Sequence, residues 1–159
     1  LIAGAVYFFG GFYDVAAAQP DPKPVDWVIA SVREASIESR APTITPSNLD
    51  DPATIQAGAR AFAARGCVAC HGAPGVDWEK FAEGMKPDPA DLSEVAKGQS
   101  AGEIFWVIKN GIGMTGMPSF ARIKVQDPEI WAITAFVKKI PSVSPADYKT
   151  WTNASASAH

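Results

Sequence analysis

The 159-residue chain has little cysteine, little histidine and no surplus of positive charge. Two cysteines exclude a disulfide-dense scaffold. Fourteen Lys and Arg against 17 Asp and Glu leave a net charge of −3. That argues against a general nucleic-acid binder, which needs a basic stripe to neutralise phosphates. No Gly-rich phosphate loop, HExxH or GxSxG pattern occurs, so nucleotide-cradling, zinc-protease and serine-hydrolase chemistry have no motif to rest on. No strand-like alternation and no internal repeat is visible, so the chain reads as all-α. What is present is 47% hydrophobic and 19% charged residues, the balance of about one packed domain. Thirteen prolines and 13 glycines predict long loops between its helices.

The organisation follows from punctuation. The sequence opens on Leu1 rather than Met, as a processed or clipped product would, and residues 1–13 carry no charge. Thirteen helical residues reach about 20 Å, short of the roughly 30 Å hydrocarbon layer. The segment reads as a leftover signal-peptide core, a buried segment or the outer end of a cut transmembrane anchor. The last is favoured, because Tyr7, Phe8, Phe9, Phe12 and Tyr13 suit the aromatic belt at a membrane interface. Residues 14–49 form an arm: a stiff Pro-rich spacer from Gln19 to Pro24, then a helical pattern from Val25 to Arg40. Its helix either packs on the main domain or docks a partner. The main domain is expected over 50–145. Asp51 caps a first helix with Pro52 at its first position, Ser100 and Glu103 form a capping box, and Asp127 caps a third helix that Pro141 stops. Residues 146–159 read as a small, polar tail.

The chemistry lies in Cys67-Val68-Ala69-Cys70-His71, a CxxCH motif. Each thiol can add across a haem vinyl group to give a thioether. Two intervening residues let both sulfurs reach one ring edge, and the next histidine falls beneath the iron as an axial ligand. A thioredoxin-type CxxC would want a strand before it and a helix after it, whereas here a helical pattern precedes and a Gly-Ala-Pro-Gly loop follows. A zinc site would need two further ligands, and the other histidine is terminal His159. A sixth iron ligand can come from Met85, Met114 or Met117. Met117 is favoured because Pro118 stiffens the strap that carries it, while Gly113 and Gly116 leave Met114 loose. Either methionine could instead be a gap-filling core residue.

Gly58-x-x-x-Phe62, the CxxCH motif, Thr115-Gly116-Met117-Pro118-Ser119-Phe120 and the helix from Trp131 to Ile140 together resemble a class I c-type cytochrome over about residues 50–141. The resemblance implies three or more helices around one covalent haem c, with Gly58 and Phe62 crossing the face of Ile133 and Phe136. It further implies that the Pro74 carbonyl accepts the ring N–H of His71, and that Trp106 and Phe120 belong to a haem wall with Ile104, Phe105, Ile108 and Ile112. Four residues between Phe62 and Cys67, one more than in compact members, imply a loosened last turn. The arm is similar to those of membrane-attached cytochrome subunits.

The function so implied is single-electron transfer in a periplasmic respiratory chain, at the bacterial cytoplasmic membrane. His71 and Met117 would ligate iron, and the partner would be a dehydrogenase, a quinol-oxidising complex or a terminal oxidase. The chain would then be a carrier and not itself an enzyme. The alternatives are a small peroxidase, a sensor whose Met117 is displaced by a ligand, and a subunit whose haem is a relay inside a larger complex. Residues 50–141 hold ten basic and eleven acidic residues, so strong electrostatic steering of a partner is not indicated.

Overall fold

The fold is built from helices that begin where local chemistry starts them. The computed structural model describes residues 2–153, and among these are eight α-helices, two short 3-10 turns and no strand beyond an isolated Ala73–Val76 bridge. The helices are α1 (Ile2–Phe9), α2 (Lys23–Glu38), α3 (Pro52–Ala64), α4 (Cys67–His71), α5 (Leu92–Gly98), α6 (Ala101–Asn110), α7 (Asp127–Lys139) and α8 (Pro145–Asn153). At the start of α3 the Asp51 carboxylate accepts from the Thr54 N–H at 3.0 Å. At α6 the capping box is complete: Ser100 Oγ accepts from the Glu103 N–H, and Glu103 Oε2 accepts from the Ser100 N–H at 2.7 Å. These bonds satisfy N–H groups that a helix start leaves without partners. The α7 start differs from expectation. Gln126 occupies the cap without a side-chain bond, because the Asp127 carboxylate is taken by Lys109 Nζ at 2.7 Å.

The centre of the domain is the crossing of α3 over α7. A Cβ on Gly58 would lie 1.9 Å from the Ala132 carbonyl oxygen, so only glycine permits this approach. Phe62 and Phe136 meet edge to face, 5.3 Å between ring centroids, and both are essentially sealed from water. Burial of such side chains stabilises by roughly 1.5–3 kcal/mol each. α6 packs along α7, where Phe105 stacks on Trp131 at 3.9 Å. The implied crossing of Gly58 and Phe62 with Ile133 and Phe136 is therefore present, in the all-helical architecture of a class I cytochrome c fold.

The C-terminal end of the chain departs from expectation. The tail expected from residue 146 begins as α8, which packs on α3, and its Tyr148 is buried with its ring 5.7 Å from Phe136. Ser144 caps that helix by accepting from the Asp147 N–H, which is why it forms. The end of the expected tail, with His159, lies outside the described residues. At the other end, no helix among the described residues is long and apolar enough to cross a membrane; α1 has eight residues. The arm helix α2 packs on α6, and Ile37 is buried there.

Candidate cofactor site

α3 does not run on into the CxxCH motif. It ends at Ala64, Gly66 takes a left-handed φ of +78°, and α4 starts afresh at Cys67. The loosened last turn is thus a full break, and it turns Cys67, Cys70 and His71 towards one cavity of about 440 Å³, lined mainly by apolar side chains. That volume lies within the range of small-molecule and cofactor sites. Both thiols are free and partly buried. Burial pushes the Cys67 thiol up to about 11, opposed in part by a hydrogen bond from its own backbone. A redox-active CxxC needs the reverse, a thiol shifted down so that thiolate attacks. A thioredoxin-type reading fails on topology, since a helix precedes the motif and a tight turn follows it. A zinc reading lacks donors: among the described residues no group of three or more His, Cys, Asp or Glu side chains is placed to hold a metal ion.

The His71 ring is oriented by the backbone. Its Nδ1 lies 2.9 Å from the Ala90 carbonyl oxygen. A carbonyl only accepts, so Nδ1 carries the proton and Nε2 is left with its lone pair for a metal. The acceptor expected at Pro74 is therefore corrected to Ala90. Pro74 sits within a turn closed by reciprocal Ala73–Val76 backbone bonds of 2.8 Å, and that turn packs on Pro145 and does not line the cavity. The loop carrying Pro87, Pro89 and Ala90 passes the ring instead.

Of the three methionines, Met117 and Met85 line the cavity, while Met114 is 96% exposed. The Met117 strap is held by more than Pro118. The Met117 carbonyl accepts from the Ile112 N–H at 3.2 Å, and its N–H donates to Thr115 Oγ1 at 3.1 Å. Thr115 Oγ1 in turn donates to the Ile112 carbonyl at 2.8 Å, closing a small knot at the base of the strap. Met85 packs across Gly116, with its sulfur 3.0 Å from where a Cβ would stand. The sequence offers Met85 as a third candidate without marking its place; the folding of its loop over the strap brings it to the cavity.

The α6 wall consists of Ile104, Val107 and Ile108, with Ile112 and Phe120 beyond. Trp106 and Phe105, expected here, are not on it. Successive helical residues turn by about 100°, so positions 104, 107 and 108 share a face that 105 and 106 leave. Phe105 faces Trp131 instead. The arm also reaches the cavity, through Arg33, Glu34 and Ile37 of α2, which no sequence motif marked.

The donor chemistry fits a covalent haem: two free thiols, an imidazole with a free Nε2, a thioether and an apolar wall around one cavity. A family model described as cytochrome c oxidase, cbb3-type, subunit III, matches residues 53–137, the span from α3 through α7. No curated protein and no solved structure matches the chain.

Proposed function

The chain belongs to the family of cytochrome c oxidase, cbb3-type, subunit III; it is a class I c-type cytochrome carrying haem c, and we propose that Cys67 and Cys70 would hold that haem while His71 and Met117 would ligate its iron. The observation that carries this reading is the convergence of all four side chains on the wall of one apolar cavity, with His71 already presented by Ala90. When bound, the haem supplies a one-electron iron couple.

The chain's residues then serve that couple. Two thioether links hold the group in place through Cys67 and Cys70. His71, its proton kept on Nδ1, offers the same nitrogen in both oxidation states. Met117 offers a soft, neutral sulfur, which favours the ferrous form and raises the potential. The knot of Ile112, Thr115 and Met117 fixes the backbone that carries that sulfur, which would keep reorganisation small. Ile104, Val107, Ile108 and Phe120 keep water from the metal. The role is that of an electron carrier rather than an enzyme.

Its family points to redox partners in an oxidase-type complex. In our reading the chain is a subunit or partner of such a complex in a respiratory chain. Residues 1–13 are the end of its attachment to the bacterial cytoplasmic membrane, and the haem domain lies on the periplasmic side. A dehydrogenase or quinol-oxidising complex would supply the electrons.

The assignment is tested by Met117→Ala in the purified holoprotein. The ferric spectrum should become high spin and the reduction potential should fall markedly, while Met114→Ala and Met85→Ala do neither. If Met85→Ala produces that change and Met117→Ala does not, the ligand is Met85. Intact mass should exceed the polypeptide by one haem, and no added mass would end the reading.

A further inference from the structure

The matched domain begins at residue 53, yet the cavity is not closed by that domain alone. Ile37 of α2 is buried at its rim, and the chain returning from α2 is pinned to α6. There a Cβ on Gly102 would lie 2.1 Å from the Pro42 carbonyl oxygen. On the other side Lys86, in the loop that presents Ala90, pairs with Asp21 of the arm at 3.1 Å and donates to the Gln19 carbonyl. Two separate attachments thus hold α2 over the cavity, and Arg33 lies on its wall.

The ionisable groups on that wall are few. α2 contributes Arg33 and Glu34, the end of α3 and α4 contribute Arg65, His71 and the two thiols, and the loop before α5 contributes Asp88. α6 and α7 contribute none; Lys138 of α7 is engaged with the Ala96 and Gln99 carbonyls. Of the two guanidinium groups, Arg65 is held by both oxygens of Glu129, at 2.7 and 3.0 Å. Arg33 makes no hydrogen bond or ion pair among the described residues and is only partly exposed. A haem carries two propionate carboxylates, and a carboxylate against an apolar wall needs a cation or donors. A planar guanidinium matches a carboxylate with two parallel bonds.

We propose that Arg33, from an arm helix outside the matched domain, pairs with a haem propionate, so that the arm completes the cofactor site and helps set its potential. This rests on the haem reading above. The cation stabilises the ionised carboxylate and opposes the extra positive charge of ferric iron, so its removal lowers the potential. Removal also moves the propionate-linked ionisation to higher pH.

The experiment is spectroelectrochemical titration across pH of the full holoprotein and its Arg33→Gln, Arg33→Lys and Arg40→Gln variants. Amide hydrogen exchange of α2 is measured alongside. Arg40 lies on the same arm and, among the described residues, bonds only to Ser36 and Ser39. The expected result is a lower potential and an upward shift of the pH-dependent segment in Arg33→Gln. Arg33→Lys should show much smaller changes, Arg40→Gln should match the parent, and α2 protection should persist in all. Coincidence of Arg33→Gln with the parent in both potential and pH profile would overturn the pairing. So would equal shifts in Arg33→Gln and Arg33→Lys accompanied by lost α2 protection, since the effect would then be one of arm docking. A parent protein that carries no haem would instead refute the underlying reading, which the absorption spectrum shows before any titration.

Discussion

The haem domain and the arm that leads to it are both helical and both rich in apolar residues, but they are held by different means. In the domain, α3 and α6 start on side-chain caps, and Phe62, Ile130, Ile133 and Phe136 are sealed between packed helices. In the arm, α2 starts at Pro22 with no side-chain cap, and Trp27, Val28, Ile29 and Val32 remain exposed. Among the arm's described large apolar residues, Ile37 is the buried one. The two regions show that an amphipathic period is enough to specify a helix, whereas what it packs against depends on a partner surface. The domain supplies that surface to itself. The arm finds it for its last turns only, around the cavity.

This contrast can be broken at its strongest point first. Cys67→Ala/Cys70→Ala should abolish covalent haem. Because the cavity sits inside a core of limited size, it should also lower helix content in the domain. Circular dichroism and intact mass read both, and native-like helicity without haem would show that α3, α6 and α7 suffice alone. Next, Phe136→Ala should cost about 3–5 kcal/mol by chemical denaturation, while Trp27→Ala should stay within about 0.5 kcal/mol. Comparable losses would mean that the arm is part of the same core. Ile37→Ala should cost about 2 kcal/mol, the low end for a buried aliphatic at a rim. Its mark should be faster amide exchange in α2 with α3 and α7 unchanged.

The smallest effect is expected at the α6 cap. Hydrogen bonds from the Ser100 side chain and backbone hold the Glu103 carboxyl below its usual 4.5. A depressed carboxylate stabilises the fold above its unfolded-state value and loses that contribution as pH falls through the folded one. Ser100→Ala should therefore cost about 1 kcal/mol at neutral pH. The deficit should shrink below about pH 4.5, as protonation of Glu103 removes the stabilisation that the Ser100 side chain gives its ionised carboxyl in the parent.

Much of the site could be read from local patterns. The Asp51–Pro52 start, the Ser100–Glu103 box, the CxxCH motif and the Met117–Pro118 strap each depend on residues within a few positions of one another. Two misses also had local signals. Ser144-Pro145 opens α8 as Asp51-Pro52 opens α3, and the spacing of Ile104, Val107 and Ile108 excludes Trp106 from their face. The Ala90 carbonyl had none, because any residue carries a carbonyl and side-chain identity says nothing of which one meets the ring. Met85 and Arg33 likewise carry no mark of their place.

The amino-acid sequence by itself determined where α3 and α6 begin, that two thiols and an imidazole stand together, and which methionine has a stiffened backbone. Those follow from short-range sterics and hydrogen bonding. Only the tertiary structure decided which carbonyl orients His71, which α6 side chains face the cavity, and that α2 lies across its rim. These are contacts between distant segments, selected by the way the whole set of apolar faces closes together.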